Sequence, residues 1–257
     1  MSVSMTLTAL QGIPLVHPGD DLGEILWQAL LANGIMLQDG DILVLAQKIV
    51  SKAEGRLVNL SEVTPSAQAE ELARFTGKDA RFVELVLRES RTVLRYRPGT
   101  LIVEHRLGFV CANAGIDHSN VEGLYGNPED WVLLLPEDPD ASARRIQQVL
   151  QARSGVKLGV LIIDSHGRAW RLGTVGVCIG VAGVPAIVDL RGRPDLFGYQ
   201  LRVTQVAAAD ELAAAASLIM GQADEKRPVV HVRGFPYPLR ESSFSELRRP
   251  EEQDLFR

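Results

Sequence analysis

Leu22, Ile25, Leu26, Ala29 and Leu30 recur at the spacing of one helix face, with Gly19-Asp20-Asp21 ahead as a cap and Asn33-Gly34 as a stop. Before that helix, Thr6 to Val16 reads as an extended segment in which Gly12-Ile13-Pro14-Leu15 could lay backbone amides against a ligand. Asp39-Gly40 turns into a strand over 41–46. Thr64-Pro65 starts a second helix, with proline at its first position, that ends near Gly77. Asp79 caps a third, which carries Phe82, Val83, Leu85, Val86 and Leu87. From Thr92 the period shortens to strands at 92–96, 100–104 and 109–112, broken by Pro98-Gly99 and Gly108 as in an antiparallel meander. A strand over 131–135 leads to a helix capped by Asp138, with Pro139 at its first position and Gly155 past its end. Val160 to Ile163 reads as a buried strand that stops at Asp164. Gly173, Gly176, Gly180 and Gly183, set among valines, would let a ligand or a partner strand come close. Asp189 to Gly192 and Asp195 to Gly198 read as turns, Val206 to Met220 as an Ala-rich helix broken by Gly221, and Val229 to Val232 as a last strand. Residues 235–257 are charged and proline-bearing, the pattern of a peripheral tail.

Composition narrows the class. With 46% apolar and 23% charged residues, the chain is an ordinary globular one, long enough for one large domain or two small ones. It has no apolar run near the roughly 20 residues that span a bilayer, and no basic region followed by an apolar block and a cleavage site. A cytoplasmic protein is expected, without a membrane partner. The net charge of −5 and the lack of a basic block interleaved with aromatics argue against a nucleic-acid surface. Cys111 and Cys178 lie in apolar stretches without metal-ligand spacing, as buried free thiols do. The glycine spacing after Arg171 fits neither a Walker loop nor the dinucleotide fingerprint.

Three polar clusters carry candidate chemistry. Asp164 and Ser165 put two hard oxygen donors side by side, suited to magnesium or manganese, and Arg168 and Arg171 add donors for anionic oxygens. An Asp-Ser turn with surface arginines is the alternative. Gln47, Lys48, Ser51 and Lys52 follow a strand directly, so the two lysines can meet a phosphate as mobile charges or stand as solvated surface. Asn113, Gly115, Asp117, His118, Ser119 and Asn120 form a loop almost free of bulky apolar side chains, with Asp117 a second candidate ligand and Asn120 a nucleotide contact. The competing reading is an Asx-rich turn, with His118 a local hydrogen-bonding residue. Gln222-Ala223-Asp224-Glu225 is the third cluster.

The segments GIPLVHPGDDL (12–22), GDILVLAQKIVSKAEGRLV (40–58), TGKDARFVELVLRES (76–90), GFVCANAGIDHSN (108–120), LLPEDPDASARRI (134–146), GVAGVPAIVDLRG (180–192) and MGQADE (220–225) together resemble the coenzyme F420-0:L-glutamate ligase family. The resemblance covers 1–234 apart from the first few residues and leaves 235–257 outside. It implies an α+β fold of two intertwined subdomains with mixed and antiparallel sheets, in a butterfly-like homodimer. Asp117 and Asp164 resemble ligands of a first divalent cation, magnesium or manganese, and Ser165 and Gln222 those of a second; potassium is a further candidate cation. Leu15, Gln47, Lys48, Lys52, Asn120 and the segment from Met220 through Gly221, Gln222, Ala223, Asp224 and Glu225 to Arg227 resemble GTP-contacting positions. The family pattern has threonine and then an aromatic where this chain has Ser165 and His166, which keeps a hydroxyl and alters the acceptor pocket. The implied reaction makes an acyl phosphate of F420-0 from GTP and then an amide with L-glutamate, through Asp117 and Asp164 as catalytic residues. A GTP-dependent ligase for another small carboxylate, and a nucleotide-binding module without catalysis, are the alternatives; the second would bind GTP and release no phosphate.

Overall fold

The computed structural model describes residues 3–255; the first two residues and Phe256-Arg257, the end of the expected tail, lie outside the described residues. In chain order β1 (Thr6–Ala9), α1 (Leu22–Ala32), β2 (Ile42–Ala46) and α2 (Gln47–Ala53) are followed by β3 (Leu57–Asn59), α3 (Ala67–Thr76) and α4 (Ala80–Arg88). Next come β4 (Ser90–Arg97), β5 (Thr100–His105), β6 (Val110–Ala112), β7 (Trp131–Leu133) and α5 (Pro139–Ser154). The chain closes with β8 (Gly159–Arg168), β9 (Arg171–Ala182), β10 (Val188–Asp189), β11 (Gln205–Val206), α6 (Ala208–Met220) and β12 (Val229–Arg233). This is a mixed α/β protein with mixed and antiparallel sheets, as the resemblance implies.

The central sheet has the order β1-β12-β2-β8-β9. Only β2 and β8 are parallel, from Ile42 beside Gly159 to Ala46 beside Ile163. Where they pair, both strands are unbroken apolar runs because both of their faces are covered. Leu43, Leu45, Val160 and Ile162 pack on α1 and α5 through Leu26, Leu30, Ile146 and Leu150. Ile42, Val44, Leu161 and Ile163 pack on α6 through Leu212, Ala213 and Ala216. A third core joins α3 and α4 to β5 and β7 through Leu72, Phe82, Val86, Leu101, Val103 and Val132. The segment between α2 and α5 thus builds its own layer, with the antiparallel sheet β4-β5-β6.

Caps fix most helix starts. Asp21, Asp79 and Asp138 accept hydrogen bonds from the backbone N–H of Glu24, Arg81 and Ala141 at 3.1, 2.8 and 2.9 Å. The second predicted helix begins later than Pro65, because Ser66 provides the cap, accepting from Ala69 N–H at 3.2 Å. Two of the β9 glycines, Gly176 and Gly180, admit helices, where a ligand or a partner strand was expected. A Cβ on Gly176 would lie 2.5 Å from Ala213 O of α6, and one on Gly180 2.5 Å from Pro139 of α5. Gly176→Ala should therefore destabilise the protein by about 1–3 kcal/mol, because α6 cannot retreat without opening its core. Urea denaturation measures this; an unchanged midpoint would show that α6 moves freely.

After Gly234 the chain folds back over the body. Phe235, Leu239 and Leu247 pack against the α6-side core, and Phe244 N–H donates to Asp140 at 3.0 and 3.2 Å. No helix among the described residues is long and apolar enough to cross a membrane.

Candidate functional site

The apolar run of β8 ends at Ile163, but the strand does not. β2 leaves the sheet at Ala46, opposite Ile163, while β8 continues to Arg168 paired with β9 alone. Asp164 therefore sits at the end of β2, on a two-stranded arm, and not at the end of its own strand. Alternation also corrects the idea that Asp164 and Ser165 act side by side, since neighbouring strand side chains point to opposite faces. Asp164 faces the α1 and α5 side, where His166 Nε2 lies 3.0 Å from its Oδ2. Ser165 faces the α6 side and donates to Gln222 Oε1 at 2.8 Å.

Where β2 ends, α2 begins, an element the strand-end reading missed. It has no side-chain cap, and Ala46 precedes it. One helical turn puts Gln47 beside Ser51 and Lys48 beside Lys52. Buried Ser51 donates to Gln47 Oε1 at 2.8 Å, which turns the Gln47 amide outward, and its Nε2 donates to Asp117 Oδ2 at 2.8 Å. Lys48 Nζ stands 3.5 Å from Asp117 Oδ1 and donates to Ser119 Oγ and O at 2.8 and 3.0 Å. Asp117 is itself held by backbone bonds to Leu133 in both directions. Asn120, at φ 57°, donates to Ala223 O at 3.2 Å and so joins this loop to the one after α6.

That last loop is a closed turn. Gly221 adopts φ 79°, ψ −176°, a conformation open to glycine, and a Cβ there would meet the Glu225 carboxylate at 2.2 Å. Glu225 accepts from Ala223 N–H at 2.8 Å, and Ser217 accepts from Gln222 Nε2 at 3.0 Å. Met220 is buried beneath it, while Asp224 is exposed.

Electrostatics set the site's demands. Burial pushes the Asp117 carboxyl up to about 6; the Lys48 ammonium pulls it down, and the Asp164 charge adds to the rise. Burial lowers the Lys52 ammonium, and the charge of Lys48 adds to that. Two repelling carboxylates thus lie beside two repelling ammonium groups. A divalent cation relieves the first pair and a polyphosphate the second. The donors are hard oxygens, with carboxylates on one face of β8 and a hydroxyl and an amide carbonyl on the other, as magnesium or manganese takes them. Among the described residues no group of three His, Cys, Asp or Glu side chains is arranged to hold a metal ion by itself, so such a cation would complete its shell with water and phosphate oxygens.

Comparison with known proteins addresses the identity of this arrangement. The family described as F420-0:Gamma-glutamyl ligase matches residues 12–234. The chain belongs to the F420-0:gamma-glutamyl ligase family. Among its relatives, a coenzyme F420:L-glutamate ligase of Methanothermobacter thermautotrophicus is 48% identical, with 99% of this chain and 100% of the relative covered. That of Methanopyrus kandleri is also 48% identical, covering 88% and 86%, and that of Archaeoglobus fulgidus 44%, covering 96% and 94%.

Within this member of the family, the structure brings Gln47, Lys48, Lys52, Asp117 and Asp164 together, and Asn120, Ser165 and Gln222 join them through the Gly221 turn. Among the described residues Leu15 makes no polar tie to the cluster. It is exposed between β1 and α1, on a stretch anchored through Gln11 to Asn33. Arg168 and Arg171 face each other across the hairpin, exposed and outside the cluster. His118 stacks on Phe82, with centroids 5.5 Å apart. Cys111 and Cys178 are buried free thiols, and burial pushes Cys111 up to about 12. Sequence reasoning gave no role to Ser51, Ser119 and Ser217, which orient Gln47, Lys48 and Gln222. The four-residue step from Gln47 to Ser51 was the available signal, readable only once α2 is known to be a helix.

Proposed function

We propose that this protein is a GTP-dependent ligase that joins L-glutamate to coenzyme F420-0. The observation that carries the reading is the meeting of repelled carboxylates, Asp117 and Asp164, with repelled ammonium groups, Lys48 and Lys52, at the junction of the central sheet and the inserted layer. The names of the relatives, coenzyme F420:L-glutamate ligase, supply the substrates.

A carboxylate oxygen of F420-0 attacks the γ-phosphorus of GTP, the bond to the β-phosphate oxygen breaks, and GDP leaves. The α-amine of glutamate then attacks the acyl carbon, phosphate departs, and the amine loses its proton. Later rounds join through the γ-carboxylate of the glutamate already attached. Such transfer asks the protein mainly for position and charge. Lys48 and Lys52 meet the phosphate oxygens as mobile charges. Gln47, fixed by Ser51, holds Asp117 in place; Asn120 and the Gly221 turn close the nucleotide side. Asp117 and Asp164 would hold one magnesium or manganese ion, and Ser165 and Gln222 a second, which when bound neutralises charge developing on phosphate oxygens.

Exposed Trp170, Leu172, Leu196 and Phe197 are apolar surface in keeping with a homodimer. The reading is tested by following GDP and phosphate. Sustained release of both should need F420-0, L-glutamate and manganese together with GTP. GDP formed at the same rate without F420-0 would point to simple GTP hydrolysis and sink the ligase.

A further inference from the structure

His166 lies two residues beyond Asp164 on the same face of β8. Its Nε2 is 3.0 Å from Asp164 Oδ2. An ionised carboxylate can only accept, so the proton is on Nε2 and the imidazole is the donor. The ring is backed by an aromatic stack. Phe109 packs against it at 5.1 Å and 45°, and stacks in turn on fully buried His105 at 5.0 Å and 3°. Phe244, from the C-terminal segment, meets Phe109 edge-on at 5.6 Å and 89° and is tied by its own N–H to Asp140. The His166 side chain is only 11% exposed.

Packing alone would be served by a phenylalanine, which fills nearly the same volume against Phe109. A phenylalanine has no hydrogen to give Asp164. Among the described residues Asp164 accepts no other hydrogen bond, so the imidazole is the polar contact that orients its carboxylate. Partners of this kind, behind a cation ligand, fix its orientation and basicity.

We infer that His166 is a positioning residue that holds Asp164 Oδ2 and leaves Oδ1 for a divalent cation, with Phe109, itself braced by Phe244, backing the ring. The inference rests on the proposed role of Asp164 as a cation ligand. It also gives the segment after Gly234 a part in the site, although that segment lies beyond the family match.

The test uses the full chain and manganese alone, with binding followed by loss of the free-ion electron paramagnetic resonance signal and thermal melting recorded in parallel. His166→Phe should weaken manganese binding about tenfold at an unchanged melting temperature. His166→Gln, whose amide nitrogen reaches about as far as Nε2, should restore most of it. His166→Asn is polar but too short to reach; it should weaken binding like the phenylalanine, and serves if the latter does not fold. Binding unchanged in His166→Phe and His166→Asn, but lost in Asp164→Asn, would overturn the role of His166 and leave that of Asp164 standing. No manganese binding by the unmutated chain would overturn both.

Discussion

Asp164→Asn should lower turnover by about 10³-fold or more while the protein folds as before. Asp164 stands beyond the last residue pair of β2 and β8, so no packed core depends on it. Asparagine keeps the shape and can still accept from His166. It removes a negative charge that pushes the Asp117 carboxyl up, so melting should hold steady or rise slightly. The loss is in chemistry, because a neutral amide neither binds a divalent cation as a carboxylate does nor balances the lysines opposite. Steady-state rates with a parallel melting curve measure both effects. Wild-type turnover in a folded Asp164→Asn protein would refute the assignment.

Asp41→Asn should do the opposite, leaving the site's chemistry intact in the protein that remains folded and lowering stability by about 3–5 kcal/mol. Asp41 is buried at the entry to β2, where it accepts from Arg233 Nε and Nη2 at 2.9 and 2.6 Å and from Gln38 N–H at 2.9 Å. His231 Nε2 lies 2.9 Å away. Burial opposes the ionised form, but the hydrogen bonds from Arg233 and Gln38, with His231 close by, outweigh it and hold the carboxyl well below the usual carboxylate range. A depressed folded-state value means that the stabilisation is complete above the unfolded value of about 4 and is lost as pH falls through the folded one. The gap between wild type and Asp41→Asn in urea denaturation should therefore be widest near neutrality and narrow in acid. Equal midpoints at pH 7 would show that Arg233 and His231 contribute little here.

Much of this fold was legible because its signals are local. The aspartate caps of α1, α4 and α5 sit next to the helices they start, and the glycine at 155 follows α5 with φ 74°. The meander β4-β5-β6 announced itself through Pro98-Gly99 and Gly108. α2 was hidden because it is short, lacks a polar cap and follows a strand without a break. β8 looked finished at Ile163 because burial ends there; its hydrogen bonding continues to Arg168, and hydrogen bonds leave no trace in hydropathy.

The site was legible in its parts and not in its assembly. Gln47 to Asp117, Asn120 to Ala223 and Ser165 to Gln222 are contacts across 70, 103 and 57 residues, which no local spacing reveals. Family resemblance brought these residues onto one list; the structure adds the serines that orient three of them. The imidazole of His166 was visible only as a departure from the family pattern. Its contact with Asp164 follows from strand alternation, but the support from Phe109 and Phe244 comes from chain 57 and 78 residues away.

The most direct measurement is a mass spectrum of F420-0 after incubation with the protein, L-glutamate, GTP and manganese, beside the same reaction without GTP. The account predicts a ladder of glutamyl additions that appears only with GTP. F420-0 left unchanged with GTP present, by a protein that binds the nucleotide, would contradict the acceptor assignment and direct attention to other carboxylates that fit beside His166.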